Sequence, residues 1–426
     1  MSDQQRREIK HDREKAILVG VIHGENSEFT INEHLEELEL LVDTAGADVV
    51  GRVTQKLSRI NPAYYIGKGK AEQLIHQAEE LNVSLIIFDN DLSPAQTKNY
   101  QKLTEEIKVI DRSTLILDIF VRHARTKEAK TQVELAQLEY MLPRLTRMWT
   151  HLERQMGGVG TRAGAGETQI EVDRRMLRVR IAKLKIELVR IDRERDTQSR
   201  RRKDFFRVAL VGYTNAGKST VMKTISGDDV YIQDQLFATL DTTVRMVKLD
   251  EDHSILLSDT VGFIRKIPHH LVASFRSTLK EVVEADLILI VMDASSLQIE
   301  DHYKTIKDVL GDLGAGNHES LVVLNKIDML EEDGRLNYLK REFPDGIPIS
   351  AREHLRIDQL LEEIKTKMSA GYKTASFTFS YQQGKEMAAA QEGVIVLDRQ
   401  YEEDGVRMVL KGSEQRINQI SSSLNK

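Results

Sequence analysis

The sequence predicts an α/β protein built from several domains, and three observations carry that expectation. The chain has 426 residues, which at roughly 100 to 200 residues per domain makes two to four compact units. Short apolar runs alternate with amphipathic segments over residues 16–111 and again from residue 206, the pattern of strands joined by helical crossovers in a mostly parallel sheet. A glycine-rich octapeptide at 212–219 follows one apolar run directly and leads into a helix-forming segment, the strand-loop-helix arrangement in which α/β sheets hold anions.

In chain order, the first block offers strand-like runs at 16–22, 48–54, 85–89 and 107–110, with helical segments at 31–45, 69–81 and 94–103 between them. From 112 to about 155 the apolar positions Leu115, Ile119, Val133, Leu135, Leu138, Leu142 and Leu145 follow a helical pattern, and Pro143 is expected to kink or restart the helix. A glycine-rich break at 157–166 precedes a second helical run at 169–202, where Met176, Val179, Leu184, Ile186 and Ile191 supply a partial apolar stripe. Two helices joined by a loop, forming a helical-hairpin arm, are the simplest reading. The second α/β block, expected to be a doubly wound sheet, has strands at 208–211, 244–249, 255–257, 287–292, 321–324 and 347–349. Strands at 375–381, 393–397 and 406–410 with a helix at 413–424 predict a small α+β domain. The expected division is therefore an N-terminal α/β domain over 1–111, the arm over 112–204, a central domain over 205–370 and the α+β domain over 371–426.

Composition narrows the chemistry. With 40% hydrophobic and 30% charged residues the chain reads as globular, and zero cysteine excludes disulfides, thiolate catalysis and cysteine zinc sites. Residues 1–15 lack the apolar core of a secretory signal. The longest branched-aliphatic stretch, near 287–292, falls far short of the ~20 residues of a membrane span, so a cytoplasmic location is expected. The formal net charge of -6 conceals an asymmetry. Between Met141 and Arg207 there are 18 Lys plus Arg against 9 Asp plus Glu, a surplus of +9 that leaves -15 for the remainder. A basic arm on an acidic body is an electrostatic footprint for a phosphate backbone; the competing reading is a solvated hairpin with i,i+4 pairs between Asp192 or Asp196 and neighbouring arginines.

The octapeptide Gly212-Tyr213-Thr214-Asn215-Ala216-Gly217-Lys218-Ser219 fits the phosphate-binding pattern G-x-x-x-x-G-K-[ST]. Its glycines let the backbone wrap a phosphate, successive amides point inward, and the following helix adds its dipole. Lys218 is expected to reach the terminal phosphates and Ser219 to ligate magnesium. About one hundred residues on, Asn325-Lys326-Ile327-Asp328 ends the strand 321–324. The Asp328 carboxylate can accept hydrogen bonds from guanine N1–H and its 2-amino group, which adenine lacks, and a polar mismatch of that kind discriminates strongly. Asn325 is expected to tie this loop to the phosphate loop, and the Lys326 stem to lie over the base. Ser350-Ala351-Arg352 fits the last base-contact segment. The sequence thus predicts a Ras-like P-loop domain that binds GTP or GDP and hydrolyses GTP.

Two further segments complete the expected site. In Asp259-Thr260-Val261-Gly262, Asp259 would hold magnesium through water and the Gly262 amide would sense the γ-phosphate. In Phe237-Ala238-Thr239-Leu240-Asp241-Thr242-Thr243, one threonine should complete the magnesium shell. Thr239 is chosen, with Thr242 and Thr243 as competitors that spacing does not separate. Many GTPases place a water-orienting glutamine after the switch glycine; here Phe263 stands there. A phenyl ring offers no hydrogen bond, so intrinsic hydrolysis should be slow or should borrow a group.

Strings outside this domain carry a resemblance. Asp111-Arg112-Ser113-Thr114-Leu115-Ile116-Leu117-Asp118-Ile119-Phe120, then Gln132-Val133-Glu134-Leu135-Ala136-Gln137-Leu138 and Leu142-Pro143-Arg144-Leu145, are similar to the HflX family of ribosome-associated GTPases. So are Trp149-Thr150-His151-Leu152-Glu153-Arg154-Gln155 and Gly164-Ala165-Gly166-Glu167-Thr168-Gln169. The likeness runs from about residue 60 to residue 350. Relatives carry proline where this chain has Ala165 and Thr242, which is expected to loosen the glycine loop and alter switch mobility without removing a ligand.

The resemblance implies a monomer that binds the 50S ribosomal subunit and its RNA, and whose GTP form splits stalled or idle 70S ribosomes. In GTPases that this chain resembles, an asparagine at the Asn215 position ligates potassium, so K+ joins Mg2+ as an expected cofactor. Arg154, Arg162, Arg174, Arg175 and Arg178 of the arm are the candidate RNA contacts, with Lys68 and Lys70 of Tyr64-Tyr65-Ile66-Gly67-Lys68-Gly69-Lys70. That last string could form a plain turn, an RNA contact or, since relatives also handle ATP, a second nucleotide site. Slow-turnover assembly or anti-association factors and ATP-driven RNA remodellers are the competing functional classes.

Overall fold

The computed structural model describes residues 13–24, 27–145, 169–199, 205–227, 237, 242–250, 253–265, 279–330, 333–370, 372–391, 394–402 and 404–424. The chain divides into two compact units. The first comprises 1–191, 233–241 and 266–276, and the second 192–232, 242–265 and 277–426.

The first unit is built on a four-stranded, wholly parallel sheet, β1 (Glu14–Ile22), β2 (Ala47–Lys56), β3 (Leu85–Phe88) and β4 (Lys108–Asp111), in the order β2-β1-β3-β4. Strand β1 is continuously buried from Ala16 to Val21, as an apolar run without alternation requires when both faces are covered. The crossover helices α1 (Glu28–Thr44), α2 (Lys68–Glu80) and α3 (Pro94–Leu103) flank the sheet in sequence. Ser27 caps α1 by accepting from Thr30 N–H, and Ser93 forms a reciprocal capping box with Gln96 ahead of Pro94. One core cluster gathers Val19, Val53, Ile66, Leu74, Phe88 and Tyr100.

Helix α4 (Arg112–His123), assigned to the arm on sequence grounds, packs against α1, β3 and β4. Its start is set by Asp111, whose carboxylate accepts from Thr114 N–H, and Arg112 lies buried between Asp89 at 3.0 Å and Glu37 at 2.7 Å. The helical run expected from residue 112 breaks at Ala124, where the backbone turns extended. Thr126 then caps a new helix, α5 (Lys127–Met141), and Pro143 falls in a single 3-10 turn at Leu142–Arg144. Helix α6 (Gln169–Ser199) packs on α5 through Leu177, Ile181 and Leu184 against Leu135, Leu138 and Leu145. Of the expected stripe only Leu184 belongs to that face, whereas Met176, Val179 and Ile186 stand exposed. A long helix can carry two apolar arcs, and complementarity to α5 selects which is buried.

The second unit holds a six-stranded sheet of β5 (Phe206–Gly212), β6 (Thr243–Lys248), β7 (Ser254–Asp259), β8 (Leu287–Asp293), β9 (Ser320–Asn325) and β10 (Ile347–Pro348), ordered β10-β9-β8-β5-β7-β6. Every pairing is parallel except β6 with β7. The order reverses at β5, so the chain winds outward on both sides of it, and such a switch point leaves a ligand crevice at the carboxyl ends of the strands. The same unit includes a three-stranded antiparallel sheet, β11 (Tyr372–Ser380), β12 (Ile395–Glu402) and β13 (Gly405–Ser413), in the order β11-β13-β12. Helices α12 (Gly384–Ala390) and α13 (Glu414–Leu424) accompany it, with Phe379, Met408, Leu410, Ile417 and Ile420 in its core. No helix among the described residues is long and apolar enough to cross a membrane.

Candidate nucleotide site

The octapeptide leaves the buried end of β5 and enters α7 (Lys218–Ser226). Two of its glycines are required by geometry. Gly217 caps α7 with φ of 90°, a left-handed conformation that costs a side chain dearly. A Cβ on Gly212 would stand 2.3 Å from the Val291 carbonyl oxygen on β8, so only glycine lets the loop turn there. Asn215, also left-handed at φ of 60°, is exposed on the loop.

Lys218 is buried, with Nζ donating to the carbonyl oxygens of Gly212 at 3.2 Å and Tyr213 at 3.0 Å. Burial pushes its pKa down to about 8, and the carboxylate of Asp259 offsets part of that fall. Ser219 Oγ donates to Asp259 Oδ2 at 2.6 Å at the end of β7. Thr260 is buried with its hydroxyl donating to Leu210 O, which anchors the segment to β5. Next to it, a Cβ on Gly262 would lie 2.9 Å from Lys218 Nζ, so Gly262 and Lys218 are immediate neighbours. Thr214 Oγ1, beside them in the loop, is buried without a hydrogen-bond partner.

Asn325 holds the site together from β9. Its Nδ2 donates to Ala216 O at 3.0 Å and its Oδ1 accepts from Ala351 N–H at 3.0 Å, so one buried amide joins the phosphate loop to the segment after β10. Lys326 adopts φ of 65° and pairs through Nζ with Asp293 Oδ2 at 2.7 Å. Ile327 and Asp328 start a 3-10 turn, with Ile327 N–H donating to Ile349 O and Asp328 exposed. Ser350 and Ala351 are buried, while Arg352 stands exposed, 3.8 Å from Glu353.

The carboxyl ends of β5, β7, β8 and β9 thus bring together Gly212, Lys218, Ser219, Asp259, Gly262, Asp293 and Asn325. Sequence reasoning missed Asp293, whose signal was only a polar residue ending an apolar strand. It also missed His302, whose ring stacks on Tyr213. Phe237, expected at the nucleotide, is buried against Phe120 of α4 in a T-shaped contact at 4.7 Å. Ala238, Thr239, Leu240 and Asp241 lie outside the described residues, as do Arg154 and Arg162.

Among the other expected contacts, Arg175 and Arg178 are exposed on α6 and Arg174 is half-buried. Ion pairs between the helices, Arg180 with Glu134 at 2.6 Å, Lys127 with Glu187 at 2.8 Å and Lys185 with Glu139 at 2.8 Å, engage part of the arm's charge. In the 64–70 string, the Tyr64 and Tyr65 rings pack edge-on against Tyr100 and Phe88. Gly67 N–H donates to Gln55 Oε1. Those rings are half-buried and pack against the core, while Lys68 is exposed and Lys70 half-exposed.

Comparisons with known proteins show the family. Residues 32–121 match the family described as GTP-binding GTPase N-terminal, 123–202 the GTP-binding GTPase Middle Region, and 207–326 the 50S ribosome-binding GTPase. The GTPase HflX of Caldanaerobacter subterraneus subsp. tengcongensis is 44% identical over 94% of this chain and 91% of its own. That of Flavobacterium psychrophilum is 51% identical over 74% of this chain and 76% of its own. That of Escherichia coli is 40% identical over 92% of both. A solved GTP-binding protein from Sulfolobus solfataricus in complex with GDP aligns over 83% of this chain and 98% of its own at 26% identity with a TM-score of 0.44. A phosphate loop and a guanine-type N-K-x-D turn joined by one asparagine, in a chain that follows these relatives almost from end to end, identify it as a guanine-nucleotide-binding GTPase that belongs to the HflX family.

Proposed function

We propose that this GTPase binds the 50S ribosomal subunit and its RNA in the cytoplasm as a monomer, and that its GTP form separates stalled or idle 70S ribosomes. The observation that carries the proposal is the match of residues 207–326 to a 50S ribosome-binding GTPase, inside a chain of HflX type. Exposed Arg175 and Arg178 on α6, Arg174 beside them and Lys68 on α2 supply cations suited to RNA phosphates. The four-part division at 111, 204 and 370 belongs to this proposal, amended by α4, which packs with the first sheet.

The site's chemistry follows from its own groups. Backbone amides of the octapeptide and the α7 amino terminus bind phosphates, Lys218 supplies a positive charge to the terminal ones, and the Gly262 amide reads the γ-phosphate. The Asp328 carboxylate selects guanine and the Lys326 stem covers the base. Ser219 and Asp259, whose oxygens share a 2.6 Å hydrogen bond, are hard donors that would hold Mg2+, Ser219 directly and Asp259 through water, with one threonine, Thr239 by choice over Thr242 and Thr243, completing the donor set. When bound, that ion neutralises charge on the phosphates. Asn215, exposed on the loop, would ligate K+.

Sucrose-gradient sedimentation of purified 70S particles with stoichiometric protein tests the proposal. With GTP or a non-hydrolysable analogue the 70S peak should give way to subunits. An unchanged 70S peak defeats splitting. Phe263, buried where a water-orienting glutamine would serve, favours slow intrinsic turnover, so binding without splitting is the reading that would then stand.

A further inference from the structure

The chain just after Gly262 is fastened to the phosphate loop at three points. Phe263 N–H donates to Gly212 O at 3.0 Å and Thr214 N–H donates to Phe263 O at 2.7 Å, forming a parallel bridge between Tyr213 and Phe263. Arg265 N–H donates to Tyr213 Oη at 2.7 Å. The first two bonds are backbone to backbone and could be made with other side chains, whereas the third depends on a tyrosine. That side chain is held firmly. Tyr213 is buried, and its ring lies stacked on His302 of α9 (Ile299–Asp312), with centroids 3.8 Å apart and planes 14° from parallel. A rigid ring with two torsions, clamped on one face, presents its hydroxyl at one place.

The residue ahead of this fastening is the switch glycine. A Cβ on Gly262 would lie 2.9 Å from Lys218 Nζ and 2.8 Å from Thr214 Cγ2, so the Gly262 backbone is already beside the lysine that meets the terminal phosphates. Any slip of residues 263–265 along the loop would carry that amide away.

We infer that Tyr213 is a positioning residue for γ-phosphate recognition, holding residues 263–265 in register on the phosphate loop so that the Gly262 amide stays beside Lys218. The rest of the octapeptide meets the phosphates of any nucleoside diphosphate through backbone groups and Lys218, with the Ser219 and Asn215 side chains assigned to cations. Tyr213 acts through its side chain, and its action concerns the third phosphate alone. The inference rests on the proposed reading of the γ-phosphate by the Gly262 amide and is independent of the ribosomal proposal.

Tyr213→Phe in the full-length protein keeps the ring and its stack while removing the acceptor for Arg265 N–H. The loss of one hydrogen bond should weaken affinity for a non-hydrolysable GTP analogue and lower kcat by about fivefold each. GDP affinity should stay within about twofold of the parent, because amide contacts to two phosphates are untouched. Amide hydrogen exchange over 262–265 should quicken in the same variant. His302→Ala, which frees the ring without removing the hydroxyl, should shift the ratio of GTP to GDP affinity in the same direction by less. An unchanged ratio in Tyr213→Phe overturns the inference, whether both affinities fall together or neither moves, and so does a rise in GTP affinity.

Discussion

The Nδ2 of Asn325 lies 2.3 Å from the point a Cβ on Gly217 would occupy. The same Nδ2 donates to Ala216 O, so the guanine-side loop reaches the phosphate loop through a gap only glycine leaves open. Gly217→Ala would combine this clash with a side chain at φ of 90°, a strain of about 1–3 kcal/mol before the clash is counted. Fluorescent GDP titration should show at least a tenfold loss of affinity, with circular dichroism reporting a folded protein; near-normal GDP binding would refute this account of the loop.

Lys218 sets a pH dependence. Burial lowers its pKa from 10.5 to about 8, and phosphate anions favour the charged form, so binding raises that pKa again. Affinity for GDP is therefore full below about 8 and falls above it, by up to about tenfold per pH unit. Without nucleotide, the unfolded chain holds this proton more tightly between about 8 and 10.5, so stability gains a contribution as pH rises through that window. Titration calorimetry from about pH 7 to about pH 9 should record the weakening together with proton uptake. A flat affinity with no uptake would show that the lysine keeps its charge throughout.

Asp328→Asn exchanges an acceptor for a group that is also a donor at the edge meant for guanine N1–H. GTP affinity should fall roughly a hundredfold or more, and xanthosine nucleotides should bind better than GTP. Competition titration with both nucleotides decides the matter, and retained GTP preference would remove Asp328 from the base site.

Asn215 predicts a cation effect. Initial rates of GTP hydrolysis should be several-fold higher in potassium than in sodium buffers of equal ionic strength, and Asn215→Ala should erase the difference. Equal rates for the unaltered protein in the two salts would rule out a potassium role.

Arg112 and Arg180 test burial against exposure. Arg112 is enclosed with Asp89 and Glu37, and removing one member of such a buried cluster typically costs about 3–5 kcal/mol. Arg180 also pairs tightly with Glu134 but remains solvent-exposed, where a pair contributes about 0.2–1 kcal/mol. Urea unfolding of Arg112→Met and Arg180→Ala should reproduce that order; similar losses would mean the Arg112 cluster is solvated in solution.

Much of the strand framework was legible because parallel, doubly covered strands read as unbroken apolar runs, as in β1, β5 and β8. The helical region was less so. The buried face of α6 depended on its partner α5, and two apolar arcs compete in its sequence. Helix α12, short and poor in periodicity, left no signal, and nothing in the 64–70 string announced that the rings of Tyr64 and Tyr65 pack against the core. Arg180 counted towards a basic surface until its partner Glu134 on the facing helix was in view.

By itself, the sequence determined the nucleotide chemistry and the family, because phosphate and base recognition reside in contiguous residues whose strand-loop-helix context is local. The tertiary structure alone decided which distant groups complete those loops. Tyr213 meets Arg265 and His302, Lys326 meets Asp293, and Arg112 meets Glu37 and Asp89, whereas the tie from Asn325 to the phosphate loop was already expected from the sequence. Such pairings depend on strand order, register and helix packing, which are settled only when the whole chain buries its apolar surface at once.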